Sequence, residues 1–495
     1  MIMQNDTKPI YLSLSLLLAI KFLIYSLYFI TKKRNFAPFS FGDISLASKE
    51  KIIIRQSKMD KLESQIQKRK TIKPSTPTPN NYRSFNISLF DQRAPPTYVP
   101  VLLHYLPSNI ELNREDSGVV ERCGKLQKSL SEMLTKFYLL AGRYGDDGLS
   151  IECNDEGVEY AETKINMDLA EFLHQAVAKV ELLSDLLLFD SKNMHQSSSP
   201  LFGVQVNIFN CGGLVLGIQI SHALADAFTL ATLLNEWAHV SKTGITEGCH
   251  SNFGHLSSLY PTRVLPKSSN LPFFNISATV VSKRFVFDAL AIKELKDRID
   301  SGATSMKPSR VVVIMSLLWK VLVGISSARH GRSRDSYLGI PINLRPKFKE
   351  PLIERALGNF VLLKVATFET NQSRKHQLND FVNLVGTTLR GAFLNIVKAS
   401  VDDIASISLG AVGENFYYCS SWCKLPWYEV DFGWGKPFWV SGIASNIDKL
   451  ISLIDTKDGD GVEAWVSLEE NDMSEFERDL DILTFSPPQK QQLIP

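Results

Sequence analysis

The sequence predicts an α/β protein of two domains, on three observations. The chain has 495 residues, more than one hydrophobic core ordinarily organises, so two domains of roughly 200 residues each are expected. Stretches with strand character and stretches with helical periodicity are mixed in both halves. Their spacing is irregular, which argues against the repeated strand–helix–strand units of a doubly wound sheet.

Composition narrows the function. Apolar residues make up 44% and charged residues 21%, normal for a packed globular protein. Lys and Arg total 54 against 52 Asp and Glu, so no net field favours a polyanion, and nucleic acid is not an expected partner. Cys123, Cys153, Cys211, Cys249, Cys419 and Cys423 are too scattered for a disulfide scaffold and suit a reducing compartment. Cys419 and Cys423 lack a second pair or a nearby histidine to complete a zinc set, so no metal is expected. Neither G-x-G-x-x-G nor a Walker-type loop is present.

Residues 1–58 stand apart. Ile10 to Ile30 is apolar apart from Lys21 and three serines, and at about 1.5 Å per residue it is long enough for a transmembrane helix. Lys32, Lys33 and Arg34 follow it. That bias would anchor the chain in the endoplasmic reticulum membrane with its large C-terminal part in the cytoplasm. The alternative is an upstream extension foreign to the working protein, since Met59 begins a plausible independent start. The remaining chain divides as an N-terminal domain over 59–240, a crossover over 241–275 and a C-terminal domain over 276–495.

In order, residues 71–81 hold three prolines and read as an extended lead-in. Phe85 to Phe90 and Val99 to Tyr105 read as strands, and Val119 to Tyr138 as a helix stopped by Gly142 and Gly145. Leu201 to Phe209 and Leu214 to Ile220 pair as a hairpin across residues 210–213. Residues 241–275 keep no period and exceed an ordinary connection. In the second half, 282–299 reads as strand then helix with Asp288 as cap, and 308–325 as a buried helix after Pro308. Strands are predicted at Tyr337 to Leu344, Leu357 to Phe368 and 461–470, helices around 374–399 and from a cap at Asn471.

Two stretches carry chemistry. Leu214 to Val240 runs from a buried strand into a helix, with His222 and Asp226 at the corner. A neutral histidine there can accept a proton near pH 7. Asp226 can hold the imidazole, or it can cap the helix at Phe228 or Thr229 and face away. Read alone, the pair is a weak signal that fits a satisfied structural histidine better than a catalytic one, and no second His/Asp/Glu pair supports a metal. The second stretch, Ser420 to Val440, crowds aromatics, glycines and prolines into what suits a rigid packed loop.

Together with PSRVVVIMSLLWK and PINLRPK between them, these stretches resemble the plant BAHD acyltransferases, over roughly Lys70 to Pro487. The family pattern H-x-x-x-D stands at His222 to Asp226 and D-F-G-W-G at 431–435, in order with NLRPK and GNF. The resemblance implies two similar domains of chloramphenicol acetyltransferase type, each a mixed sheet with flanking helices, with the active-site channel between them. It implies transfer of an acyl group from coenzyme A to an alcohol or amine, with His222 as general base and direct attack on the thioester. Acyl-CoA is then a cosubstrate and nothing is bound permanently; a monomer is expected. Asp226 and Arg345 would support the catalytic loop, and Trp422 would donate its indole N–H to the developing oxyanion. Asp431, Phe432, Gly433, Trp434 and Gly435 would form a structural loop on the coenzyme side, with Lys307, Arg310 and Lys436 as candidate contacts to coenzyme A. Ala227 departs from the glycine of many members. The phrases SHALADAFT and YEVDFGWGKP are similar to the vinorine synthase-like branch that acetylates alkaloid and terpenoid alcohols, so acetyl-CoA and a hydrophobic specialised metabolite are the expected substrates. Hydroxycinnamoyl transfer is the alternative within the enzyme class, and a non-catalytic small-molecule binding protein the alternative outside it.

Overall fold

The first sheet is held by its hairpin. Phe209 N–H donates to Gly213 and Gly212 N–H back to Phe209, closing two apolar strands into antiparallel register. The computed structural model describes residues 62–107, 117–189, 198–245, 252–265, 277–299, 307–348, 350–370, 377–394, 401–406, 415–442 and 444–488. The proposed membrane segment 10–30 and Met59 lie outside these.

The strands are β1 (Ser64–Ile72), β2 (Ser84–Asn86), β3 (Tyr98–Tyr105), β4 (Arg143–Tyr144), β5 (Ser150–Glu152), β6 (Val158–Ile165), β7 (Phe202–Phe209) and β8 (Leu214–Ser221) in the first half. The second half adds β9 (Val280–Phe287), β10 (Ser336–Asn343), β11 (Val361–Phe368), β12 (Phe416–Ser421), β13 (Trp439–Ser441), β14 (Leu450–Asp455) and β15 (Val462–Glu469). One six-stranded mixed sheet runs β1-β6-β7-β8-β3-β13, a second runs β11-β10-β12-β14-β15-β9, and β2, β5 and β4 form a small third sheet. Two α/β halves with mixed sheets are therefore present, as expected. The chain exchanges one strand between them: β13, from the second half, pairs antiparallel with β3.

Each sheet buries one face under helices. The helices α1 (Ser117–Lys136) and α2 (Ala227–Thr243) cover the first, contributing Leu126, Leu130, Leu234 and Trp237 to its core. The helices α3 (Arg310–His330) and α4 (Leu378–Leu394) cover the second. α3 is long and apolar enough to cross a membrane, but its run from Val313 to Val323 is almost wholly buried against the second sheet, so it is a core helix. Asp288 caps the helix after β9, as predicted, and Ser309, next to Pro308, caps α3. A third cluster joins the two sheets, bringing Leu102 and Val215 of the first together with Ile454 and Trp465 of the second.

Several local expectations are corrected. Phe85 to Phe90 is not one strand: β2 ends at Asn86, and Ser88 with Asp91 closes a reciprocal capping box on a helical turn over Leu89–Gln92. β1 has no legible pattern because eight of its nine residues are exposed; pairing with β6 makes it a strand. β14 also falls where no strand is predicted. The final helix divides at Asp479, which caps Leu480–Phe485; the helix before it starts at Glu470, and Asn471 lies inside it. The segment 241–275 contains a short helix, Gly254–Leu259.

Candidate active site

His222 is the first residue past the last β8–β3 pair, Ser221 with Tyr98. Its main chain is held on both sides. The N–H donates to Thr97 O at 2.7 Å, and the carbonyl accepts from Asn359 Nδ2 at 2.7 Å. A side chain on a corner fixed this way is aimed by backbone geometry. His222 lines a cavity of about 220 Å³ between the sheets, shared with Tyr98, Pro341, Ser420, Trp422 and Trp465. Burial holds the imidazole below its ordinary value, against main-chain groups of His222 and Ala225 and the Asp226 charge. Ser221 is fully buried, with its hydroxyl 3.4 Å from that of Tyr144.

Asp226 turns away from the ring. Its Oδ1 accepts the Thr229 N–H at 2.8 Å and caps α2, the capping alternative of the sequence reading. Its Oδ2 accepts from Arg345 Nη1 at 2.7 Å and from Phe360 N–H at 3.0 Å. Both side chains are almost completely buried, 1% exposed for Arg345 and 5% for Asp226. Arg345 satisfies its remaining donors on Ala356 O at 2.8 Å, Gly358 O at 2.7 Å and Thr229 Oγ1 at 3.2 Å. Its guanidinium also covers the Phe228 ring at 4.4 Å. Ala227 opens α2, a backbone conformation in which its methyl costs nothing.

The sequence reading missed two residues of this lock. Asn359 is in turn held by Asp91, whose Oδ1 accepts from Asn359 N–H at 2.7 Å and Nδ2 at 2.9 Å. Burial raises the Asp91 carboxyl to about 6, opposed by the Ser88 and Asn359 donors. The usable signals were the S-x-x-D capping box at Ser88 to Asp91 and the GNF triplet.

The loop at 431–435 lies against the first half. Asp431 Oδ1 accepts from the N–H groups of Gly433 and Gly435, both at 2.9 Å. Those two glycines have φ of 104° and 110°, values that favour glycine. Asp431 Oδ2 pairs with Lys242 at the end of α2, at 2.7 Å. Partial burial raises the Asp431 carboxyl, but the Lys242 ammonium and the two N–H donors outweigh it and hold it below the usual range. Phe432 packs edge-on against Trp237 and stacks with Trp434. Trp422 lines the His222 cavity. Lys307 is exposed, Arg310 Nη2 binds Asp455 at 2.6 Å, and Lys436 pairs with Glu429; none of the three is among the residues lining the cavity.

The model of the Transferase family matches residues 62–483. The chain belongs to the BAHD acyltransferase family. It is 34% identical over 441 residues to acetyl-CoA-benzylalcohol acetyltransferase of Clarkia breweri, covering 84% of this chain and 98% of that protein. It is 32% identical over 424 residues to stemmadenine O-acetyltransferase of Catharanthus roseus, covering 84% and 96%. The crystal structure of vinorine synthase superposes with a TM-score of 0.73 at 28% identity, covering 86% of this chain and 98% of that one. This BAHD protein is thus an acyl-CoA-dependent acyltransferase with a two-domain α/β fold, and acyl-CoA is its cosubstrate.

Proposed function

We propose that the enzyme transfers acetyl from acetyl-CoA to a hydroxyl of a hydrophobic specialised metabolite of alkaloid or terpenoid type, with His222 as general base. The observation that carries this reading is His222 lining an inter-sheet cavity while its own N–H and carbonyl are pinned by Thr97 and Asn359. The acetyltransferase names of the relatives support the donor.

With the ring proton on Nδ1, the Nε2 lone pair takes the acceptor's proton as its oxygen attacks the thioester carbonyl. Positioned base catalysis of this kind contributes about 10²–10⁴ in rate. A lowered imidazole pKa keeps the base form available at neutral pH. The tetrahedral oxyanion needs a donor, and Trp422, which lines the same cavity, supplies its indole N–H. Collapse breaks the carbon–sulfur bond, and the imidazolium returns its proton to the departing thiolate. No covalent acyl-enzyme is formed. Asp226 and Arg345 hold the corner in shape, because the Asp226 oxygens accept from the main-chain N–H groups of Thr229 and Phe360 and from Arg345.

Free-thiol release from acetyl-CoA, with a panel of terpenoid and alkaloid alcohols, tests the reading. Alcohol-dependent release is expected. A folded protein that releases no thiol with any acyl donor or acceptor is instead a binding protein retaining the two-domain shell.

A further inference from the structure

Resting on that acetyltransferase reading, the cavity narrows the acceptor. Among its described lining residues there is no Asp, Glu, Lys or Arg. The titratable side chains that line it are Tyr98, His222 and Tyr418. Burial keeps the imidazole neutral near pH 7 and pushes both phenols further above their ordinary range. The charged groups behind the corner, Asp226 and Arg345, are already paired with each other. A carboxylate or ammonium on the acceptor would lose its water in this space and gain no counter-ion, which is strongly unfavourable.

The same cavity has a polar strip on one wall. Ser420 on β12 and Ser452 on β14 are direct partners across a parallel ladder, so their side chains stand side by side. Both line the cavity, as does Asn446. Neither serine hydroxyl has a hydrogen-bond partner among the described residues, whereas neighbouring Ser467 is satisfied by Ser282 at 2.7 Å. Pro100, Pro341, Ile447, Leu450 and Ile454 supply apolar surface elsewhere in the lining. Two adjacent free hydroxyls in a mostly apolar cavity discriminate for a ligand oxygen or amide that pairs with them.

We infer that the acceptor is an uncharged alcohol carrying a second hydrogen-bonding oxygen, which Ser452 and Ser420 read while His222 takes the proton of the reacting hydroxyl. An alkaloid acceptor enters as its free base.

The test uses the full chain and three matched alcohols: benzyl alcohol, 4-(hydroxymethyl)benzamide and 4-(hydroxymethyl)benzoate. The amide and the carboxylate have the same shape and differ in charge. The amide should exceed the benzoate at least 100-fold in kcat/KM. Ser452→Ala should lower kcat/KM for the amide about tenfold, leaving benzyl alcohol and the KM for acetyl-CoA within twofold. Benzoate turnover within threefold of the amide overturns the charge inference. A Ser452→Ala enzyme with raised KM for acetyl-CoA and an unchanged preference for amide over benzyl alcohol overturns the second part, because the serines would then serve the pantetheine amides of the donor. If no alcohol is acetylated, the acetyltransferase reading fails separately. Calorimetric titration of the same alcohols then decides selectivity: tight amide against weak benzoate sustains it, and equal or absent binding of both ends it.

Discussion

Two loops of this molecule each carry an aspartate that accepts main-chain N–H groups and pairs with a cation, and the two work in opposite surroundings. Asp226 is sealed against Arg345, with both side chains at most 5% exposed, and it ties α2 of the first half to the β10–β11 connection of the second. Asp431 meets Lys242 near the surface, where the lysine is 57% exposed. Water screens the second pair and is excluded from the first. The same chemical pairing therefore has different consequences: the buried pair is costly to break from one side, and the exposed pair is a modest clip.

The contrast is tested most severely at Asp226. Asp226→Asn leaves the Arg345 guanidinium buried without its anion, which typically costs about 3–5 kcal/mol. Denaturant midpoint and soluble yield should both fall, together with activity. Unchanged stability would remove the distinction between the two loops.

His222→Ala separates the lock from the chemistry it positions. The clamp on residue 222 is main chain, from Thr97 and Asn359, and survives the substitution. Turnover is expected to drop at least about 100-fold with the melting temperature nearly unchanged. Retention of full turnover would defeat the general-base assignment. The wild-type acid limb of kcat/KM should lie below the free imidazole value of about 6.5, because burial lowers the folded pKa. For the same reason the unfolded chain binds the proton first, so this group's linkage makes stability decline as pH falls below that value.

At the exposed loop the effects are smaller. Asp431→Asn should cost about 1 kcal/mol by loss of the Lys242 pair and weakening of the turn at Gly433 and Gly435. Its folded pKa is lowered, so its contribution is present above the ordinary carboxylate value of about 3.9 and is lost as pH falls through the folded value. Lys242→Ala should cost less than about 1 kcal/mol, and raised salt should shrink the difference from wild type. A buried-scale loss at Lys242, insensitive to salt, would contradict the contrast.

The sequence made the alternation of α2, the β7–β8 hairpin and the capped helices legible because each is written in local periodicity and caps. Arg345 was reachable through the family resemblance, since nothing local links it to a residue 119 positions earlier. Asp91 and Asn359 escaped for a related reason. The capping box at Ser88 was hidden by apolar neighbours that suit a strand, and Asn359 acts through a carbonyl 137 positions away. β1 escaped because strand identity at an exposed edge comes from its partner β6. The Ser420–Ser452 strip was illegible because β14 itself went unread.

The exchanged strand β13 has a consequence for how the protein is made. His104 on β3 and Ser441 beside it, in hydrogen-bond contact at 3.0 Å, are 337 residues apart in the chain. At about 5–20 residues per second, roughly 17–67 s of translation separate their synthesis. For that interval the β3 edge of the nascent first half has no native neighbour, and exposed strand edges invite wrong pairing. The first sheet is thus completed only after the ribosome has delivered most of the second half.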